Sequence, residues 1–223
     1  MPIQLYIGFT VEGSTDTRFL TQVIQNVVEE TALDCRTDVI IEDVKLVYVP
    51  KTEFIETMLK ASRKAVKEYG MSVLCIHADS DAKSIANVME YKFTPFAEAL
   101  NPMADDEYCK TIVPVIPIQM TEAWMMADKE LLKTKIAAQG KRDIDLGLER
   151  DPEAYADPKQ AIETAIRVAQ AGKTKRRRNE LTINDLYDEM GQSIPLHRLR
   201  ELPSFQHFEE NVRNAFRLLG YIE

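Results

Sequence analysis

Seven residues, Ser72 to Ala78, constrain the fold of this chain more than any other segment. They read SVLCIHA, a short and nearly continuous apolar run, and they lead straight into Asp79-Ser80-Asp81. A strand that is apolar on both sides has to be buried on both faces, the condition of an interior strand in a parallel sheet covered by helices. The segments around it fit that setting. Ile3 to Val11 alternates, with Ile3, Leu5, Ile7, Phe9 and Val11 on one face and Tyr6 and Gly8 opposite, then breaks at Glu12-Gly13-Ser14. From Thr15 the period becomes helical: Phe19, Leu20, Val23, Ile24, Val27 and Val28 form one stripe to about Glu30, with Ser14 or Thr15 available as N-cap.

The alternation of element types continues. Val39 to Val49 is β-branched and reads as a second strand, and Thr52 is placed to cap a helix that turns Ile55, Met58, Leu59 and Val66 inward and stops at Gly70. A polar helical segment follows the apolar run to about Leu100. Thr111 to Gln119 reads as a fourth strand, and Pro114 and Pro117, which lack ladder donors, place it at a sheet edge. A helix is expected from about Thr121 to Ala138. Four strands alternating with helices predict an α/β fold with an open, mostly parallel sheet.

Beyond Gly140 the strand signal stops. Asp157 and Pro158 supply the cap and first turn of a helix through Ala171, Thr182 to Met190 reads as a second, and Ser204 as the cap of a third with Phe205, Phe208, Val212, Phe216 and Leu219 on one face. The expected division is an α/β domain over residues 1–140 and a helical region over 141–223, packed on the sheet as extra layers or standing beside it as a small bundle. A length of 223 residues accommodates either arrangement.

Composition narrows the function classes. With 45% hydrophobic and 29% charged residues the chain has ordinary globular composition, which excludes a disordered, collagenous or disulfide-scaffold protein. Cys35, Cys75 and Cys109 match no zinc or redox spacing and read as buried reduced thiols. The uncharged stretch Thr111 to Thr121 is too short for a membrane span, and Met1 to Phe9 lacks the basic region and cleavage site of a signal peptide, so a cytoplasmic protein is expected. The net charge of -8 argues against a generic nucleic-acid coat. It is uneven: residues 173–223 hold nine Lys and Arg against eight Asp and Glu, so the acidic excess lies in the rest of the chain.

Two acidic signals stand at strand ends. Glu12 follows the first strand, and Asp79 and Asp81 follow the third, at the edge of an open α/β sheet where loops and helix N-termini converge on ligands. Carboxylates spaced i, i+2 beside a third from a neighbouring strand offer hard oxygen ligands, which suit Mg²⁺ or Mn²⁺ and hence phosphate chemistry. The structural alternative is that Glu12 and Asp16 are turn and helix-start residues and that Asp79-Ser80-Asp81 caps the next helix.

These residues carry a resemblance. VEGSTDTRFL (Val11 to Leu20) resembles the first motif of Toprim domains, especially those of overcoming-lysogenization-defect nucleases, and HADSDA (His77 to Ala82) resembles their DxD motif. The resemblance implies a Toprim-like sheet of about four strands with helical C-terminal additions, Glu12 as general acid or base near the metal, and Asp79 and Asp81 as Mg²⁺ ligands. VPVIPIQMTEAWMMAD (Val113 to Asp128) and the ending LPSFQHFEENVRNAFRLLG resemble bacterial Toprim-like proteins often encoded beside an ATP-binding-cassette (ABC) type ATPase. That implies a stand-alone nuclease subunit of an ATPase-linked phage-defence system or, alternatively, a non-catalytic interaction subunit for the ATPase. Glu122 stands where related nucleases present another carboxylate for a second metal; its bland reading is a helix-start glutamate favoured by the dipole. Many Toprim proteins carry a third aspartate two residues beyond the DxD pair where this chain has Lys83, so a two-metal centre requires Glu122 or Asp16 to substitute.

Lys173, Lys175, Arg176, Arg177 and Arg178 put five cations in six residues, a candidate clamp for a DNA or RNA backbone or else a solvated loop or acidic-partner contact. Gly172-Lys173-Thr174 is no phosphate-binding loop, because Arg167 stands where the earlier glycine belongs and no strand precedes it. His77, His197 and His207 lack metal-ligand spacing among themselves. His77 reads as a packing residue or as one that orients a carboxylate. Trp124, among apolar neighbours, reads as core.

Overall fold

A computed structural model describes residues 2–11, 13, 15–171 and 181–223. The first strand of the sequence pattern is two: β1 (Ile3–Leu5) and β2 (Ile7–Thr10) part at Tyr6 because they pair with different neighbours. Helix α1 (Asp16–Ala32) follows. The expected second strand is likewise divided into β3 (Val39–Ile41), which pairs with β1, and β4 (Lys45–Leu46), which pairs with β2. Helix α2 (Phe54–Tyr69) ends at Gly70 as expected, but Glu53 is its N-cap residue; the Thr52 N–H instead donates to the Thr57 hydroxyl at 2.9 Å. Strand β5 (Val73–His77) is buried at every position. The short α3 (Ala86–Val88) continues through a π turn into α4 (Thr94–Leu100), and β6 (Ile112–Val115) follows.

The fourth strand is shorter than its β-branched run, ending before Pro117. The helix expected from Thr121 to Ala138 is broken into α5 (Thr121–Met125) and α6 (Lys129–Lys135), because Asp128 caps the second by accepting from the Leu131 N–H. Then come α7 (Asp143–Leu146), α8 (Pro158–Gln170), capped by Asp157 as its sequence requires, α9 (Ile183–Ser193), opened by a Thr182–Asp185 capping box, α10 (Leu196–Leu199) and α11 (Pro203–Leu218). Ser204 is not the cap of α11. Its hydroxyl accepts from the Trp124 indole N–H at 2.7 Å and donates to Glu153 at 2.5 Å.

The main sheet is parallel, in the order β4-β2-β5-β6. Pro114 therefore lies on an edge strand, and its carbonyl accepts from the Asn211 side chain at 3.3 Å. β5 explains its own sequence: Val73 and Cys75 join the core on one face of the sheet, Leu74 and Ile76 the core on the other. On the first face Phe19, Leu20, Val23 and Ile24 of α1 pack with Leu186 and Tyr187 of α9 and with Phe208 and Phe216 of α11. On the second, Met58, Ala61 and Ala65 of α2 pack with Phe93 and with Phe96 and Leu100 of α4. The C-terminal helices are thus an extra layer on the sheet, covering the face that α1 alone would leave wet. Trp124 is core, stacked edge-on to Phe205 at 5.1 Å between ring centroids.

Candidate functional site

In this winding the central strand β2 sends its chain to one side, into α1 and β4, while β5 sends its chain to the other, through α4 to β6. Helices α1 and α4 lie on opposite faces, so a crevice opens at the C-terminal ends of β2 and β5, the topological switch point where open α/β sheets bind ligands. Asp16, the first residue of α1, and Asp79, two residues past β5, both lie there.

The loops after β5 and β6 are stitched together. The Ser80 N–H donates to the Pro117 carbonyl at 3.2 Å, the Asp81 N–H to the Gln119 carbonyl at 2.9 Å, and the Gln119 N–H to the Ser80 hydroxyl at 2.8 Å. Asp81 and Gln119 adopt left-handed φ values of 48° and 62° to permit these turns. The result fixes Asp79: its Oδ1 accepts from the Thr121 N–H at 3.0 Å and stands 3.2 Å from His77 Nε2. That nitrogen is also 3.0 Å from the Thr121 hydroxyl. His77 is buried, and its Nδ1 lies 4.0 Å from Asp16 Oδ2. The three side chains Asp16, His77 and Asp79 offer ligand atoms all within 4.8 Å of one another, and together they can hold a metal ion.

The electrostatics favour a cation. Burial lifts the Asp16 carboxyl above its ordinary value; His77 acts against the rise and the Asp79 charge adds to it. Burial likewise lifts Glu122, the Tyr187 hydroxyl that donates to it acts against the rise, and the Asp16 and Asp79 charges add to it. Among the described residues no lysine or arginine forms an ion pair with Asp16, Asp79 or Glu122. Buried carboxylates whose pKa values are raised, with a histidine but no lysine or arginine beside them, are poised for a positive charge. The donor set, two carboxylates and an imidazole, fits a divalent metal. Gly13 belongs to this arrangement: a Cβ there would come within 2.3 Å of Asp16 Oδ2, so any side chain at 13 would push the carboxylate from its place.

The sequence expectations meet this geometry unevenly. Asp79 is in the group, and His77 sits beside its carboxylate. Asp81 is solvent-exposed and stands outside the group. Glu122 is buried at the start of α5, near enough to Asp16 and Asp79 to feel their charge. Glu12 and the run Lys173, Lys175, Arg176, Arg177 and Arg178 lie outside the described residues. Asp16, which the sequence offers only as a helix-start residue or substitute ligand, is a buried member of the group. Its signal is its place in the first helical turn, four residues after Glu12. Thr121 and Tyr187 give no local signal, because their partners lie 42 to 65 residues away in sequence.

No helix among the described residues is long and apolar enough to cross a membrane. No curated protein and no solved structure matches the chain. One family model does match, over residues 11–213, from the end of β2 to within α11 and across Asp16, His77, Asp79, Glu122 and Tyr187; the chain belongs to the family described as domain of unknown function DUF4276.

Proposed function

We propose that this protein is a metal-dependent phosphodiesterase of nucleic acid, a Toprim-type nuclease using Mg²⁺ or Mn²⁺. The observation that carries the reading is the meeting of Asp16, the first residue of α1, and Asp79, just past β5, at the switch point of the sheet with no lysine or arginine paired to either among the described residues. Asp16 and Asp79 would hold the cation. The Thr121 N–H and His77 keep the Asp79 carboxylate oriented through the oxygen they share. A bound divalent cation supplies Lewis acidity toward a phosphoryl oxygen and a lowered pKa for water.

Proton movement falls to two glutamates. Glu12 takes this role by resemblance, and Glu122, with its raised pKa, is suited to exchange a proton nearer neutrality than a solvated glutamate. Tyr187 stays protonated. Burial, and then the Glu122 carboxylate next to it, push its phenol well above the ordinary value, so it acts as a donor and not as a nucleophile. The Lys173 to Arg178 run serves as the backbone clamp, and an ABC-type ATPase is the proposed partner.

The test is cleavage of labelled DNA and RNA by the purified protein, with and without the ATPase, in Mn²⁺ and in EDTA. Cleavage that needs Mn²⁺ and disappears in Asp79→Asn is the expected result. If neither substrate is cut under any of these conditions, the reading gives way to an interaction subunit.

A further inference from the structure

The C-terminal helices do more than cover the sheet, because one of them reaches the acidic group. Helix α9 packs on α1 and α5, and its closest approach is at Gly191, where a Cβ would lie 2.7 Å from the Phe19 carbonyl oxygen and 3.0 Å from the Phe19 Cα. Those are backbone atoms that cannot step aside, so the helix sits at this depth only because residue 191 is glycine. Tyr187 is one turn earlier on the same helical face. Its ring is fully buried with the Arg18 guanidinium carbon 5.6 Å from the centroid, and its hydroxyl donates to Glu122.

We propose that Tyr187, seated by the close packing of Gly191 on α1, is a positioning residue that holds the Glu122 carboxylate toward Asp16 and Asp79, so that three carboxylates, not two, face the cation. This rests on the cation reading above. Like charges gathered in a buried crevice repel, and a glutamate side chain has rotamers that carry it away. The phenol donor offsets that tendency by satisfying one Glu122 carboxylate oxygen. The region expected from sequence to be a helical addition is on this view a working wall of the site, and α9 follows directly on the segment that contains the basic run.

The experiment measures Mn²⁺ dissociation constants by calorimetry, and melting in EDTA, for wild type, Tyr187→Phe, Glu122→Gln, the double variant and Met190→Ala. Met190 is fully buried on the same helix, so its variant reports loosening of α9 alone. Tyr187→Phe keeps the ring and is expected to weaken Mn²⁺ about tenfold, as loss of an outer partner of a metal site does. The double variant is expected to bind no more weakly than Glu122→Gln, because both changes break one link. Met190→Ala should melt lower and bind Mn²⁺ as wild type does. Wild-type affinity in Tyr187→Phe, additive losses in the double variant, or an equal loss in Met190→Ala would overturn the assignment while leaving the cation site standing. A wild-type protein that binds no Mn²⁺ would remove the cation site and this inference with it.

Discussion

Asp79→Asn separates a metal ligand from a structural turn residue, because the two roles give stability changes of opposite kind. The amide retains the Oδ1 acceptor for the Thr121 N–H, so the loop after β5 keeps its anchor. It removes one of the negative charges that raise the Asp16 and Glu122 pKa values. Asp16 and Asp79 offer ligand atoms within 4.8 Å of each other, and at an effective dielectric of about 20 such a pair repels by about 3 kcal/mol. The Asp79 side chain is 27% exposed, and solvent screening reduces the usable part to about 1–2 kcal/mol. For a chain of this size that is a rise in melting temperature of about 2–8 °C in EDTA. Wild type should gain more than this from the cation: at one hundred times its dissociation constant, a ligand bound only by the native state stabilises by about 2.7 kcal/mol. In differential scanning calorimetry the variant should therefore melt above wild type in EDTA and below it in saturating Mn²⁺. Equal melting of the two in EDTA, with no Mn²⁺ increment in either, would falsify the reasoning and leave Asp79 as a turn residue.

Other expectations follow from the same structure. Asp16 and Glu122 have carboxyl pKa values raised in the fold, so the native state binds more protons than the unfolded state from about pH 4 upward, and stability falls as pH rises through that window. Melting of the cation-free protein should decline there, and the decline should flatten in an Asp16→Asn/Glu122→Gln variant; carboxylates with lowered values, such as Asp185, act on the acid side of the window and are not confused with it. Phe208→Ala removes a fully buried ring of α11 from the core shared with β2 and β6, and should cost about 3–5 kcal/mol in a single urea transition, whereas a second, separate transition would show that the C-terminal helices fold apart from the sheet. Changing Arg176, Arg177 and Arg178 to Ala should lower the salt dependence of nucleic-acid binding by about one unit of slope for each arginine–phosphate pair removed; an unchanged slope in filter binding would reassign the run to a protein partner.

Much of the fold is legible because burial writes itself into strands and helices directly. The Ser72 to Ala78 run has to be an interior strand, and it is; Pro114 has to stand at an edge, and β6 is the edge. What misleads is local competition. Ser204 looks like a helix cap in sequence, but Trp124 and Glu153, far along the chain, claim its hydroxyl. Asp128 looks like the middle of a helix, and its carboxylate instead starts a new one. In the site the same division holds. Asp79 announces itself by following an apolar strand. Asp16 does so only faintly, since an acidic residue at a helix start is ordinary. Tyr187 is invisible without the fold, because its partner arrives from another element and the glycine that seats it, Gly191, sits in a helical pattern that glycine normally weakens.

The most direct measurement of the central claim is Mn²⁺ anomalous scattering from crystals of the wild-type protein soaked in the ion. A single strong peak bounded by Asp16 and Asp79, with His77 behind the latter and Glu122 facing it, is the expected result, and Asp79→Asn crystals should lose the peak. A peak elsewhere on the molecule, or none in the crevice between the ends of β2 and β5, would contradict the metal site and the phosphodiester chemistry built on it.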